Sequence, residues 1–407
     1  MPRRPPAREA FFILGVSHLY MNDQSPIGPP RGFRDVLPTE ARELGVIEQA
    51  LSETFADSGF TPLYPPLLEY GSDDSVRRRR IQFLDSDGSL VALRPDLTTS
   101  VARLVAGRYR EMTGVLRLSY IAPVFREEPA MSGGSREILQ AGVELVGGDG
   151  ALADAEILAL LGESLERAGL AVCESTLQVG SIALTGGLFA ALAGEVRVDV
   201  LHALRQGDIA GALNRARGAG MPADQLARAA RALTGVESGP EAAELCRVIE
   251  LARERWPGAV KGWGAPNLAV VPALPYYTGI VFEAIHPDAG VIASGGRYDL
   301  LIGAYGTPRP AIGFAIDVLQ LHRALFAEEW RPRLQRPLVV LRASADERAT
   351  LRCTASLRAG GLAVALGDVA ERAGRAVIEA EVIDECRVRL ADGRVTDAAT
   401  LGSEIGS

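Results

Sequence analysis

The two stretches LRLSYIAPVF, residues 116–125, and EILQAGVELV, residues 137–146, decide the fold class. Both are dense in β-branched, aromatic and leucine side chains, and only a short glycine-containing loop, Pro129–Ser135, lies between them. Two strand-like runs joined in that way read as an antiparallel hairpin, because a parallel crossover needs a dozen or more residues. Working outward, a second pair covers Ile280–Ile285 and Gly290–Ala293. A third, Gln82–Leu84 with Leu90–Leu93, turns on Asp87-Gly88, a favoured hairpin dipeptide. Leu44, Ile47, Leu51 and Phe55 recur at three- and four-residue steps, which predicts an amphipathic helix over Glu40–Ser58; a second helix is expected over Leu97–Arg110. Thr61–Glu69 reads as one strand kinked by Pro65 and Pro66. Hairpin-connected strands flanked by helices predict an antiparallel sheet in an α+β domain. Neither a GxGxxG nor a GxxxxGK[ST] loop is present, which argues against a doubly wound nucleotide domain.

The chain has 407 residues, a length that suggests two or three domains, and at 47% hydrophobic and 23% charged it has enough apolar content for a large core. A net charge of −8 argues against a nucleic-acid binder, which usually carries a basic face. Cys173, Cys246, Cys353 and Cys386 are scattered, as are His18, His202, His286 and His322, so zinc-ligand spacing is absent and no metal site is expected. The cysteines read as free thiols of a cytoplasmic protein. No apolar run approaches the ~20 residues of a membrane helix. Residues 1–26 are expected to form a disordered tail, and Arg77–Arg80 a solvated charge run on a loop or, alternatively, an anion- or partner-facing patch. Between the hairpins, the Ala-, Leu- and Arg-rich span 184–256 predicts a helical insertion in a body covering residues 27–330. Residues 337–407 predict a small α/β domain: a Leu338–Leu341 strand, a helix over Asp346–Arg358, a Leu362–Leu366 strand, then more strand.

Several segments, in order, resemble histidyl-tRNA synthetase, a class II aminoacyl-tRNA synthetase. Arg31-Gly32-Phe33-Arg34-Asp35 resembles its opening motif, and the helix ending near Phe60 with Pro66 resembles motif 1. Arg94-Pro95-Asp96-Leu97-Thr98 resembles the family's Arg-Pro-Glu-x-Thr loop. Phe125-Arg126-Glu127-Glu128, Arg136 and Gln140-Ala141-Gly142-Val143-Glu144 resemble motif 2. Leu274-Pro275-Tyr276-Tyr277-Thr278-Gly279 with Phe282-Glu283 resembles the histidine-specific motif. Gly295-Gly296-Arg297-Tyr298-Asp299 and Ile312-Gly313-Phe314-Ala315 resemble the glycine-rich strand and motif 3. The resemblance implies a class II antiparallel sheet and a homodimer built through motif 1.

It also implies a pocket for free histidine from Asp96, Thr98, Gln140, Glu144, Tyr276 and Tyr277. Asp96 and Glu144 would meet cationic nitrogens, Gln140 and the tyrosine hydroxyls would supply neutral bonds, and Arg126 would pair with a carboxylate or a phosphate. The cations for ATP are another matter. Gln320 stands where the family has its motif 3 arginine and Leu319 where it has glutamate. Pro272 occupies the histidyl-specific arginine position, Gly134 replaces a motif 2 arginine, and Ile138 replaces the aromatic that stacks on adenine. Arg126, Glu128 and Arg136 are left as candidate nucleotide contacts. An arginine on a phosphoryl transition state is worth ~10³–10⁵ in rate, so adenylation, and with it any catalytic role, is not expected. The C-terminal 337–407 segment carries 9 Arg against 11 acidic residues, the wrong balance for an RNA-binding tail.

A synthetase-like body stripped of its catalytic arginines resembles a paralogous family, the regulatory subunits of short-form ATP phosphoribosyltransferase, and the Arg-Pro-Asp-Leu-Thr spelling at 94–98 favours it. That resemblance implies a non-catalytic subunit with no cofactor that assembles with a catalytic subunit for the first step of histidine biosynthesis. It also implies feedback inhibition by free histidine, with neither nucleic acid nor membrane as partner. A divergent active synthetase and a paralogue with another role are the alternatives.

Overall fold

The computed structural model describes residues 28–71, 80–127, 134–171, 175–235, 242–257, 266–272, 274, 276–332, 337–367, 369 and 376–405. The expectations for residues 1–26, Arg77–Arg79, Glu128 and Cys173 lie outside the described residues. The chain runs α1 (Pro38–Asp57), β1 (Thr61–Pro62), β2 (Leu68–Tyr70), β3 (Gln82–Leu84), β4 (Leu90–Leu93), α2 (Leu97–Arg108), β5 (Leu116–Phe125) and β6 (Glu137–Val146). There follow α3 (Gly150–Arg167), β7 (Thr176–Ser181), α4 (Ile182–Leu188), α5 (Gly194–Arg205), α6 (Ile209–Gly218), α7 (Ala223–Leu233) and α8 (Ala243–Arg255). Then come β8 (Ile280–His286), β9 (Gly290–Arg297), β10 (Ala311–Asp317) and α9 (Val318–Ala327).

The central sheet has seven strands in the order β1-β5-β6-β10-β9-β8-β7. Every neighbouring pair is antiparallel except β1 with β5. The deciding hairpin forms as its sequence predicts, from Leu116 opposite Val146 to Phe125 opposite Glu137. The α+β expectation therefore holds. Alternation along the strands sorts the two faces. Ala141, Val143 and Leu145 of β6, with Ile312, Phe314 and Ile316 of β10, enter the large core under α1, α3 and α9. The other face carries Gln140, Gly142 and Glu144 on β6, and Gly313, Ala315 and Asp317 on β10. Small residues there leave space above the sheet, and Gln140 and Asp317 look into it.

One expectation needs correction. Thr61–Glu69 is not a single strand: Thr61 and Pro62 pair with Leu118 and Ser119, whereas β2 joins β4 in a separate three-stranded sheet, order β2-β4-β3. Pro65 and Pro66 lack N–H groups and cannot carry a ladder through the break. Their carbonyls instead accept Arg94 Nη1, at 2.7 and 3.3 Å. The span 150–181, for which the sequence predicts no element, forms α3 and β7, with much of α3 buried between the sheet and α8.

The C-terminal segment comprises β11 (Leu338–Arg342), α10 (Glu347–Ala359), β12 (Ala363–Leu366), β13 (Val377–Val382), β14 (Arg387–Leu390), β15 (Val395–Asp397) and α11 (Ala398–Ile405). Its five-stranded sheet, order β12-β11-β13-β14-β15, builds a core of its own from Val339, Leu341, Cys353, Leu357 and Val388. Asp346 caps α10 by accepting the Arg348 and Ala349 amides, as an aspartate at a helix start should.

Candidate functional site

The polar face of the central sheet floors a cavity of ≈ 320 Å³. Its walls bring together six of the seven residues expected for an amino-acid pocket: Asp96, Thr98, Arg126, Gln140, Tyr276 and Tyr277. They arrive from four places. Asp96 precedes α2 and caps it, one carboxylate oxygen accepting the Thr99 amide at 2.7 Å. Thr98 stands in the first turn of α2, and Arg126 follows β5, held by a 2.9 Å bond from Nε to the Pro95 carbonyl. Gln140 rises from β6, nine-tenths buried. Tyr276 and Tyr277 come from the segment before β8, their ring centroids 4.9 Å apart.

Glu144, the seventh, lies beneath the wall. It is 1% exposed, and its carboxylate accepts Thr98 Oγ1 at 2.7 Å, Tyr120 Oη at 3.2 Å and the Tyr298 hydroxyl. Glycine makes this arrangement possible. A Cβ on Gly313 would stand 2.0 Å from Glu144 Oε2, and one on Gly142 would stand 2.6 Å from the Tyr120 oxygen. Burial pushes the Glu144 carboxyl up to about 7, a rise the three hydroxyl bonds restrain. Desolvation likewise raises Tyr276, Tyr277 and Tyr298, leaving them as neutral hydroxyls.

Sequence reasoning missed four polar wall residues: Tyr298, Glu283, Ser294 and Asp317. Glu283 and Ser294 face one another across β8 and β9, and Asp317 lies opposite Gln140 across β10 and β6. Alternation from Gln140 along the paired strands was the signal that could have found them. Burial raises both Glu283 and Asp317, although Asp317 also caps α9 through the Leu319 and Gln320 amides.

The wall thus carries Asp96, Glu283 and Asp317 against a single cation, Arg126, among the described residues. Pro272 and Ile138 are in the wall; Gln320 is not, and its Oε1 accepts Arg323 Nη1 at 3.1 Å. Arg136 is also turned away. Its guanidinium pairs with Glu127, lies over the Phe33 ring and reaches the Arg31 carbonyl. Arg205 approaches only the outside of the rim, with Nε 3.0 Å from the Pro272 carbonyl. A second cavity, ≈ 290 Å³, lies on the C-terminal sheet near Arg342, Glu381 and Arg389 and contains none of the expected residues. Among the described residues no group of three or more His, Cys, Asp or Glu is placed to hold a metal, and no helix is long and apolar enough to cross a membrane.

The histidyl-tRNA synthetase family model matches residues 32–321, the span that builds the sheet and the cavity. Among curated proteins, an ATP phosphoribosyltransferase regulatory subunit from Moorella thermoacetica is 35% identical over 370 residues, 85% of this chain and 93% of that protein. The chain belongs to that family, a branch of the histidyl-tRNA synthetase-like proteins. A histidine–tRNA ligase from Pyrococcus horikoshii is also similar, 33% identical over 338 residues but covering 75% of this chain and 76% of the ligase. Among solved structures, an ATP phosphoribosyltransferase regulatory subunit/histidyl-tRNA synthetase from Bacillus halodurans superimposes with a TM-score of 0.75. It is 27% identical and covers 89% of this chain and 100% of its own. Family membership accounts for the class II sheet and for the order of the motifs around the cavity.

Proposed function

We propose that the chain is the non-catalytic regulatory subunit of a short-form ATP phosphoribosyltransferase. It serves the first step of histidine biosynthesis in the cytoplasm, binds free histidine in the Asp96–Tyr277 cavity and passes that binding to a catalytic subunit as feedback inhibition. One observation carries this reading: the cavity is furnished with hydrogen-bond donors and acceptors, while its wall sets three carboxylates against one cation among the described residues. Histidine offers an ammonium for Asp96 and Gln140, a carboxylate for Arg126, and an imidazole for the hydroxyls that Glu144 orients. A triphosphate would meet Glu283 and Asp317 with Arg126 as the one wall cation among the described residues to offset them, and like charges in a site shielded from water repel strongly. Feedback further requires that histidine bind one state of the assembly more tightly than the other.

Calorimetry on the purified chain tests the reading, with heat expected on adding histidine and none on adding ATP. Gln140→Ala should weaken histidine about tenfold or more, since it removes a buried polar partner worth ~1–3 kcal/mol. Unchanged affinity in that variant would count against the pocket. Similarity to a histidine–tRNA ligase keeps an active synthetase as the second reading, and histidine-dependent pyrophosphate exchange with ATP would establish it instead.

The reading includes a homodimer through motif 1. Around the Pro65–Pro66 turn and the small sheet, Tyr64, Tyr70 and Leu84 are 82%, 83% and 71% exposed, an apolar patch of the kind a second copy would cover. Leu84→Asp with Tyr70→Asp should convert the dimer to monomer in sedimentation experiments. An undisturbed dimer would place the interface elsewhere. The acidic C-terminal segment, proposed as a separate domain, favours a protein partner over RNA.

A further inference from the structure

The cavity rim is not held by the sheet alone. The segment from Asn267 to Gly279 is fastened at one end by the Asn267 amide to the Val179 carbonyl, 2.7 Å, and at the other by the Thr278 amide to the Arg297 carbonyl, 2.7 Å. Between these points Pro272, Leu274, Tyr276 and Tyr277 form cavity wall. Two side-chain hydrogen bonds from the helices that follow β7 reach the same segment. Thr185 of α4 donates Oγ1 to the Leu268 carbonyl at 2.6 Å in a buried bond, and Arg205 of α5 donates Nε to the Pro272 carbonyl at 3.0 Å. Proline has no N–H, so its carbonyl is the only backbone group at that position able to bond, and Arg205 supplies the partner.

We infer that Arg205 is a positioning residue for the cavity, coupling the Pro272 rim to the joint between α5 and α6. The inference rests on the histidine reading above and adds how occupancy leaves the site. Arg205 is the last residue of α5. The chain then turns through Gly207, at φ +74°, into the Asp208 cap of α6, whose carboxylate accepts the Gly211 amide at 2.7 Å. A rim that settles onto bound histidine moves the Pro272 carbonyl, and the guanidinium carries that displacement to a turn whose glycine tolerates backbone adjustment. α5 and α6 pack on one another, so the joint shifts as a unit rather than as one side chain. Coupling of this sort is reciprocal: whatever holds the joint in one position raises or lowers histidine affinity by the same factor.

The test combines histidine calorimetry with hydrogen–deuterium exchange on the full-length chain, using wild type, Arg205→Ala and Arg205→Lys. In wild type, saturating histidine slows exchange in α5 and α6. Arg205→Ala should bind histidine about 5- to 20-fold more weakly, because the cavity's own polar groups remain, and its α5 and α6 amides should no longer respond even at saturation. Arg205→Lys, which keeps a cationic donor, should restore part of both effects. A purely structural surface arginine would leave the histidine response of those helices intact. Arg205→Ala responding like wild type would overturn the inference, as would wild-type protein that binds histidine with no change in α5 and α6. Wild type giving no heat with histidine would remove the functional reading itself, and this coupling with it.

Discussion

Glu144→Ala is expected to abolish measurable histidine binding and to destabilise the central domain in a pH-dependent way. The carboxylate is the common acceptor for Thr98, Tyr120 and Tyr298, and its removal leaves the buried Tyr120 and Tyr298 hydroxyls and the half-buried Thr98 hydroxyl without that partner. Each orphaned group costs about 1–3 kcal/mol, and the hydroxyls that present themselves to a ligand lose their orientation together. An opposing effect comes from Glu144 itself. Its carboxyl is raised from 4.5 to about 7 by burial, so the folded state holds a proton that the unfolded chain releases. Stability therefore falls as pH rises from about 4.5 through 7, and the ionised group costs the folded wild type about 2–3 kcal/mol more at pH 8 than at pH 5. Thermal unfolding should show the alanine variant most impaired near pH 5 and closer to wild type near pH 8. Glu144→Gln separates the two contributions: it keeps the volume and should flatten the pH dependence of Tm over that window. A glutamine variant whose Tm tracked wild type across the window would show that Glu144 titrates as an ordinary carboxylate.

The second large effect is at Arg94, where loss of stability is expected to come first and loss of binding to follow from it. Arg94 is 4% exposed and lies outside the cavity wall. Its guanidinium donates to the Pro123 carbonyl at 2.9 Å and to the Pro65 and Pro66 carbonyls at 2.7 and 3.3 Å. These bonds tie the break between β1 and β2 to the end of β5, next to Asp96 and Thr98. Arg94→Ala would remove the side-chain donor from three proline carbonyls, a loss of about 3–5 kcal/mol and a fall in Tm of roughly 10 °C. Arg94→Lys cannot span both acceptor sites from one nitrogen and should recover only part. An alanine variant that unfolds like wild type but fails to bind histidine would make Arg94 a ligand contact instead.

These two residues also show where sequence reasoning reaches its limit. Arg94 and Asp96 sit in one five-residue motif, yet one ties backbone together and the other faces the cavity. Glu144 and Gln140 share β6 and its polar face, yet one is sealed under a layer of hydroxyls and the other looks into the space. Nothing along the chain distinguishes them, because the difference depends on what β10 and the Tyr276–Tyr298 region place above each position. Arg136 is a similar case: a candidate nucleotide contact in the sequence, it is held by Glu127 and Phe33 once Arg31–Phe33 folds against it.

What the sequence determined by itself was local and periodic. Alternation in residues 116–125 and 137–146, the Asp87-Gly88 turn and the three- and four-residue apolar steps of α1 specified hairpins and helices, because those signals act between near neighbours. The resemblance of the ordered motifs to histidyl-tRNA synthetase, rather than any periodicity, implied the six cavity residues and the missing cations. Tertiary structure alone decided the splitting of Thr61–Glu69 between two sheets, the carboxylate-rich wall of Glu283 and Asp317, and the reach of Arg205 to Pro272. Each depends on residues distant in the chain meeting across strands or helices, and on burial, which changes what a charged or polar group costs.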